Sequence, residues 1–97
     1  MIRHIVWWTL EDEAGAEENL KRLLAESESL RGIPALKSLE ISGKIEGTST
    51  VPCGLVLTTT HDSMAKLDEY QKNPIHVKFG ELLKTMVNSR NCIDFEY

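Results

Sequence analysis

The sequence predicts an α+β fold: one antiparallel sheet with helices over a single face, its elements in the order β-α-β-β-α-β. Three observations predict it. Four stretches carry the β-branched, aromatic or alternating residues of strands. Two stretches between them switch to helical apolar spacing. The second helical stretch is broken at Asn73-Pro74, a cap followed by a first helical residue. With 97 residues, 41% of them hydrophobic, the chain is sized for one domain covering 1–97, because two halves would each fall below the size at which a core sustains itself.

The first strand covers Met1 to Leu10. Ile5 and Trp7 alternate with His4, Val6 and Trp8, so both faces are largely apolar and both need cover. From Ala16 the period lengthens: Ala16, Leu20, Leu23, Leu24 and Leu30 keep helical spacing, with Ser27 completing the stripe. Gly32, Ile33 and Pro34 are expected to stop this helix, Gly32 through the left-handed cap conformation and Pro34 because it cannot continue the ladder. Leu36 to Ile45 alternates again, with Leu39, Ile41 and Ile45 on one face and Ser38, Glu40, Ser42 and Lys44 on the other. Glu46 to Pro52 is small and polar enough for a loop, and Gly54 to Thr60 reads as the third strand, giving a hairpin with a long tip. Asp62 and Ser63 offer an N-cap for a short helix carrying Met64, Leu67 and Tyr70. After Pro74 the stripe Ile75, Phe79, Leu82, Leu83 and Met86 predicts a further helix. Cys92 to Tyr97 closes as the fourth strand, with Ile93, Phe95 and Tyr97 on one face and Cys92, Asp94 and Glu96 on the other.

This order is that of the split-βαβ, ferredoxin-like layout, in which the first and third strands are central and the fourth lies antiparallel beside the first. Helices cover one face only. The second apolar face of the first strand would be a bare patch, and packing two copies of the sheet face to face removes it. A homodimer is therefore expected, with a pocket between two sheets bearing His4, Asp94 and Glu96.

Composition excludes several function classes. The net charge of −4 and the scatter of basic residues from Arg3 to Arg90 argue against nucleic acid, which needs Lys and Arg gathered on one face. Acids crowd Glu11 to Glu28 and read as a solvated helix face. No apolar run approaches the roughly 18 to 20 residues of a membrane span, and no secretory leader is recognisable, so a membrane role is not expected and the cytoplasm is. Cys53 and Cys92 form neither a CxxC pair nor a disulfide framework. His4, His61 and His76 show no metal-ligand spacing, and there is no phosphate-binding loop or nucleophile elbow, so no metal and no cofactor are expected.

Two constellations carry chemistry. In the segment Tyr70 to His76, Asn73 as cap puts His76 in the first helical turn, where the positive end of the dipole disfavours imidazolium and leaves a neutral base. Tyr70, just before the break, can then orient a ligand oxygen. The alternative is that Tyr70 packs at the helix junction and His76 makes a capping bond. The second constellation sets His4 against Asp94 and Glu96 across neighbouring strands, either as a buried cation meeting carboxylates or with both acids as solvated edge charges.

The opening I-R-H-I-V, the helix stop G-I-P-A-L-K, the Y-x-x-N-P-x-H-V-x-F-G segment and the closing D-F-E-Y together resemble the stress-responsive dimeric α/β-barrel domain family, known as Dabb, over nearly the whole chain. The resemblance implies a ferredoxin-like homodimer whose facing sheets enclose a cavity for a small organic molecule. By similarity to a plant polyketide cyclase of the family, it implies His76 as base, Tyr70 as the positioning phenol, and Glu96 as the carboxylate that supports His76. It further implies a cavity wall drawn from His4, Val6, Trp8, Val77, Phe79 and Asp94. Some members hold a cation on carbonyls near the end of the first helix, here around Leu30, Ile33 and Leu36, a feature without a side-chain signature. The expected function is a homodimeric domain that binds a small organic ligand in the barrel cavity; whether it also carries out cofactor-free proton transfer, as a polyketide cyclase of this architecture does, is left open by the sequence. One alternative is a non-catalytic stability protein whose core is sealed by Val6, Trp8 and Leu57, without a pocket of the ~300 Å³ scale that ligands need. The other is a cofactor-free monooxygenase on the same architecture.

Overall fold

Strand β1 (Ile2–Leu10) runs through the middle of a four-stranded antiparallel sheet, with β3 (Leu55–His61) on one side, β4 (Val87–Glu96) on the other, and β2 (Ser38–Ser42) beyond β3. The structure is a computed structural model that describes residues 1–10, 16–42, 48 and 54–97. Apart from Thr48, the predicted loop Glu46 to Pro52 lies outside the described residues, as do Lys44, Ile45 and Cys53.

Three helices close over one face: α1 (Ala16–Ser27), α2 (Met64–Lys72) and α3 (Pro74–Lys84). That face receives alternate residues of β1, so Ile2, His4, Val6 and Trp8 are buried while Arg3, Ile5 and Trp7 are only half-buried. Register extends the same division across the sheet. Leu39, Thr59, His4 and Asp94 form one row and Ile41, Leu57, Val6 and Cys92 the next, all on the helix side. Leu23, Leu30, Ile33, Leu55, Phe79 and Leu83 fill the layer between sheet and helices.

The sheet order and the β-α-β-β-α-β succession agree with the sequence reading, including the break at Asn73. The Asn73 side chain accepts a 2.9 Å bond from the Ile75 N–H, and Pro74 occupies the first turn of α3. Ser63 caps α2 in the same way through the Lys66 N–H.

Four expectations are corrected. The first helix ends at Ser27 and tightens into a 3-10 segment over Glu28–Gly32. Ser27 and Ser29 donate back to the Leu24 and Glu26 carbonyls at 2.8 and 2.7 Å, an alternative partner for groups that an α-helical ladder would use. Gly32 takes no left-handed conformation; the stop does fall within the expected Gly32-Ile33-Pro34 segment, at Ile33, whose extended backbone (φ −83°, ψ 118°) is what a residue before proline prefers.

The fourth strand begins at Val87, not Cys92, because backbone pairing to all nine residues of β1 does not require apolar side chains on an edge strand. Lastly, the face bearing His4, Val6 and Trp8 is covered within the protomer by the amphipathic helices, so it cannot face a second sheet. The uncovered face is the opposite one, carrying Ile93 (50% exposed), Phe95 and Tyr97 (54% exposed) beside Ile5 and Trp7. No helix among the described residues is long and apolar enough to cross a membrane.

Candidate functional site

A cavity of about 240 Å³ lies between the sheet and the α2–α3 pair. Its floor is His4, Val6 and Trp8 of β1 with Leu57 of β3; its roof is Tyr70 of α2 and His76, Phe79, Gly80, Leu83 and Lys84 of α3. Val87 and Arg90 of β4 complete it, and the exposed Lys84 and Arg90 mark its mouth. Apart from the histidines, Tyr70 and the two cations, the lining is apolar, with Trp8 and Phe79 edge to face at 6.5 Å.

The helix break places the polar end. Because Asn73 and Pro74 restart the chain, Tyr70 closes α2 while His76 opens α3, and their rings meet edge to face at 4.7 Å. Tyr70 is 1% exposed, and burial pushes its phenol well above the usual range, so it stays a neutral hydroxyl. His76 is held below the ordinary imidazole range, first by burial, then by electrostatic repulsion of its protonated form from the directions of His4 and Arg90; a bond to the Gln71 carbonyl offsets part of this. The direction is the one helix-start placement predicts, but burial is the leading cause. On the other side of Tyr70 lies His61, its ring 4.9 Å away and itself fully buried. His61 Nδ1 donates to the Ala35 carbonyl at 3.0 Å and Nε2 accepts from the Thr59 hydroxyl at 2.9 Å, a neutral tautomer that fits its lowered pKa.

His4 is 2% exposed, and its Nδ1 is hydrogen-bonded to the Asp94 carboxylate directly opposite on β4. The Cys92 thiol lies 3.4 Å from the same nitrogen. Burial and the nearby Asp94 charge push that thiol's pKa up.

The predicted site residues therefore divide. His4, Val6, Trp8, Tyr70, His76 and Phe79 line one cavity, and Asp94 stands behind His4. Glu96 is not brought to His76: it sits opposite Ile2 at the exposed end of β4 and makes no side-chain hydrogen bond or ion pair among the described residues. The carboxylate that meets a cavity histidine is Asp94, two positions earlier, which is the register position facing His4. Val77 is 47% exposed on the outer side of α3 and does not line the cavity, because the helical turn that aims His76 and Phe79 inward aims Val77 outward.

Sequence reasoning missed Arg90, Lys84, Gly80 and His61. Arg90 was hidden by the polar run Val87 to Asn91, which has no strand periodicity. A bulge explains it: Leu10 pairs with Val87 and Thr9 with Ser89, so Asn88 is the extra residue. The shift in parity lets Val87 and Arg90 both face the cavity, where an unbroken strand would put them on opposite faces.

Fold and cavity define a ferredoxin-like α+β protein with a lined chamber between its sheet and helices. The family model described as the stress responsive A/B barrel domain matches residues 2–97, and the chain belongs to that family. Among solved structures it is similar to a dimeric ferredoxin-like protein of unknown function from Bacteroides fragilis (24% identity, 99% of this chain and 95% of that one, TM-score 0.83). It is similar also to a Dabb family protein from Mesorhizobium loti (23% identity, 99% and 95% covered, TM-score 0.82). A third similar structure is the hydroxynitrile lyase from Passiflora edulis (14% identity, 97% and 90% covered, TM-score 0.82). No curated protein matches the sequence.

Proposed function

We propose that this chain is a homodimer in which each protomer binds one small, largely apolar organic molecule carrying a carbonyl or acidic oxygen, and that His76 removes a proton from it without a cofactor. The observation that carries this reading is the cavity itself. It is apolar along its walls, has Tyr70, His76 and His4 among its lining groups, and has two cations at its mouth. A sealed structural core predicts no such space, and at about 240 Å³ the cavity comes close to the ~300 Å³ at which small-ligand pockets begin.

A neutral His76 is competent to accept a proton next to a carbonyl, and an un-ionised Tyr70 is competent to donate a hydrogen bond to the oxygen that gains charge. Lys84 and Arg90 favour an anionic group at the entrance. The fold of a hydroxynitrile lyase is compatible with such chemistry, and the dimeric description of the Bacteroides fragilis protein supports self-association.

The test is a thermal-shift panel of aromatic and β-dicarbonyl carboxylates. A ligand at about a hundredfold its dissociation constant adds ~2.7 kcal/mol to stability, which for a domain of this size is a shift of roughly 10–20 °C. Gly80→Leu, whose new side chain enters the cavity from a position where a Cβ meets nothing within 4 Å, should abolish the shift while the fold stays intact. Shifts that survive unchanged in both Gly80→Leu and His76→Ala would exclude the cavity and its base from the function.

A further inference from the structure

We propose that His4 Nδ1, Cys92 Sγ and an Asp94 carboxylate oxygen form a site for a divalent transition metal, zinc above all, where β1 and β4 pair. The three donor atoms all lie within 4.8 Å of one another. Cys92 Sγ is 3.4 Å from His4 Nδ1 and 3.9 Å from each Asp94 oxygen. Zinc bonds of ~2.0–2.1 Å to nitrogen and ~2.3 Å to sulfur, set at tetrahedral angles, separate neighbouring donors by roughly 3.5 Å. The sulfur edges of the cluster already have that size, and only the His4–Asp94 contact has to open as a cation enters.

The arrangement is a poor fit to a nucleophilic cysteine. A thiol, imidazole and carboxylate acting in relay use the two ring nitrogens separately, one for each partner. Here thiol and carboxylate both converge on Nδ1, which carries a single proton at most. Three donors gathered around one point is what a cation needs.

The donor set also narrows the metal. One imidazole, one thiolate and one carboxylate suit zinc or cobalt(II), whereas magnesium and calcium require oxygen ligands. Preorganisation comes from the sheet: His4 faces Asp94 and Val6 faces Cys92 in consecutive rows on one face, so no loop has to be ordered on binding. His4 is buried while Cys92 and Asp94 are exposed, which gives an entry path and leaves a fourth position to water. The residues stand 88 and 90 positions apart in the chain, so no sequence spacing could announce them. The proposal does not rest on ligand binding in the cavity, though the two share His4, which lines the cavity floor.

The test titrates cobalt(II) alone into the purified, metal-stripped full chain. The expected result is one ion per chain, with thiolate-to-cobalt charge-transfer absorption and tetrahedral d–d bands, both bleached by added zinc. Cys92→Ser should remove the charge-transfer band and weaken binding at least ~10-fold, and Asp94→Asn should weaken binding while the band persists. Both positions are exposed, and circular dichroism checks that each variant keeps its fold. Absence of saturable binding, or a charge-transfer band that survives in Cys92→Ser, overturns the proposal.

Discussion

His76 and His61 sit on either side of Tyr70, both neutral because burial lowers their affinity for a proton. For each, the folded pKa lies below the unfolded value of 6.5, so the unfolded chain binds more protons in the interval between them. Their contribution to stability is present above pH 6.5 and is lost as pH falls through the folded values. The groups that act on them are His4 and Arg90 for His76, and His4 with the opposing Asp94 for His61. Urea unfolding with chelator present should therefore give a free energy that declines from pH 7.5 to 5.5, with a shallower decline in His76→Gln; equal slopes would contradict burial of a neutral His76. Tyr70 and His76 were legible in the sequence because the break that brings them together is local. The choice between Asp94 and Glu96 was not, since it depends on a strand register set across the whole chain.

At the scale of elements, α3 carries most of the roof, and its start and middle make opposite predictions. Asn73→Ala removes the side-chain acceptor for the Ile75 N–H and should cost about 1 kcal/mol in chemical unfolding. Gly80→Ala should instead stabilise the protein by roughly 0.5–1 kcal/mol, because alanine is the better helix former and its Cβ enters open space. A loss of stability in Gly80→Ala would mean that the cavity is smaller than its walls indicate. The stripe Ile75, Phe79, Leu82, Leu83 made α3 plain from periodicity alone. The first half of β4 had no such signal: its residues are exposed and polar, held by pairing to β1, and the bulge at Asn88 breaks whatever alternation remained.

For the whole molecule, β1 is apolar on both faces, and the structure assigns one face to the helices and leaves the other uncovered. Arg3 lies 4.2 Å over the Tyr97 ring and 5.6 Å from that of Phe95, which shields only one end of the open face. The sequence reading expected a partner from the apolar character of both faces of β1, and the structure leaves the Ile5 and Trp7 face uncovered; the pocket it placed between partners lies instead under the helices of one chain. Helical amphipathicity shows that a face will be covered; only the register of β1 shows which. Trp7→Glu, placed in the centre of the open face, should convert the dimer to monomers in analytical ultracentrifugation without loss of helical signal; an unchanged mass would place the interface elsewhere.

The proposed function resides in a chamber belonging to one chain. Native mass spectrometry with a carboxylate ligand from the thermal-shift panel tests it most directly. Two ligands per dimer and one per chain in the monomeric Trp7→Glu variant are expected; a single ligand shared by each dimer, or binding lost with the dimer, would overturn a chamber within one chain.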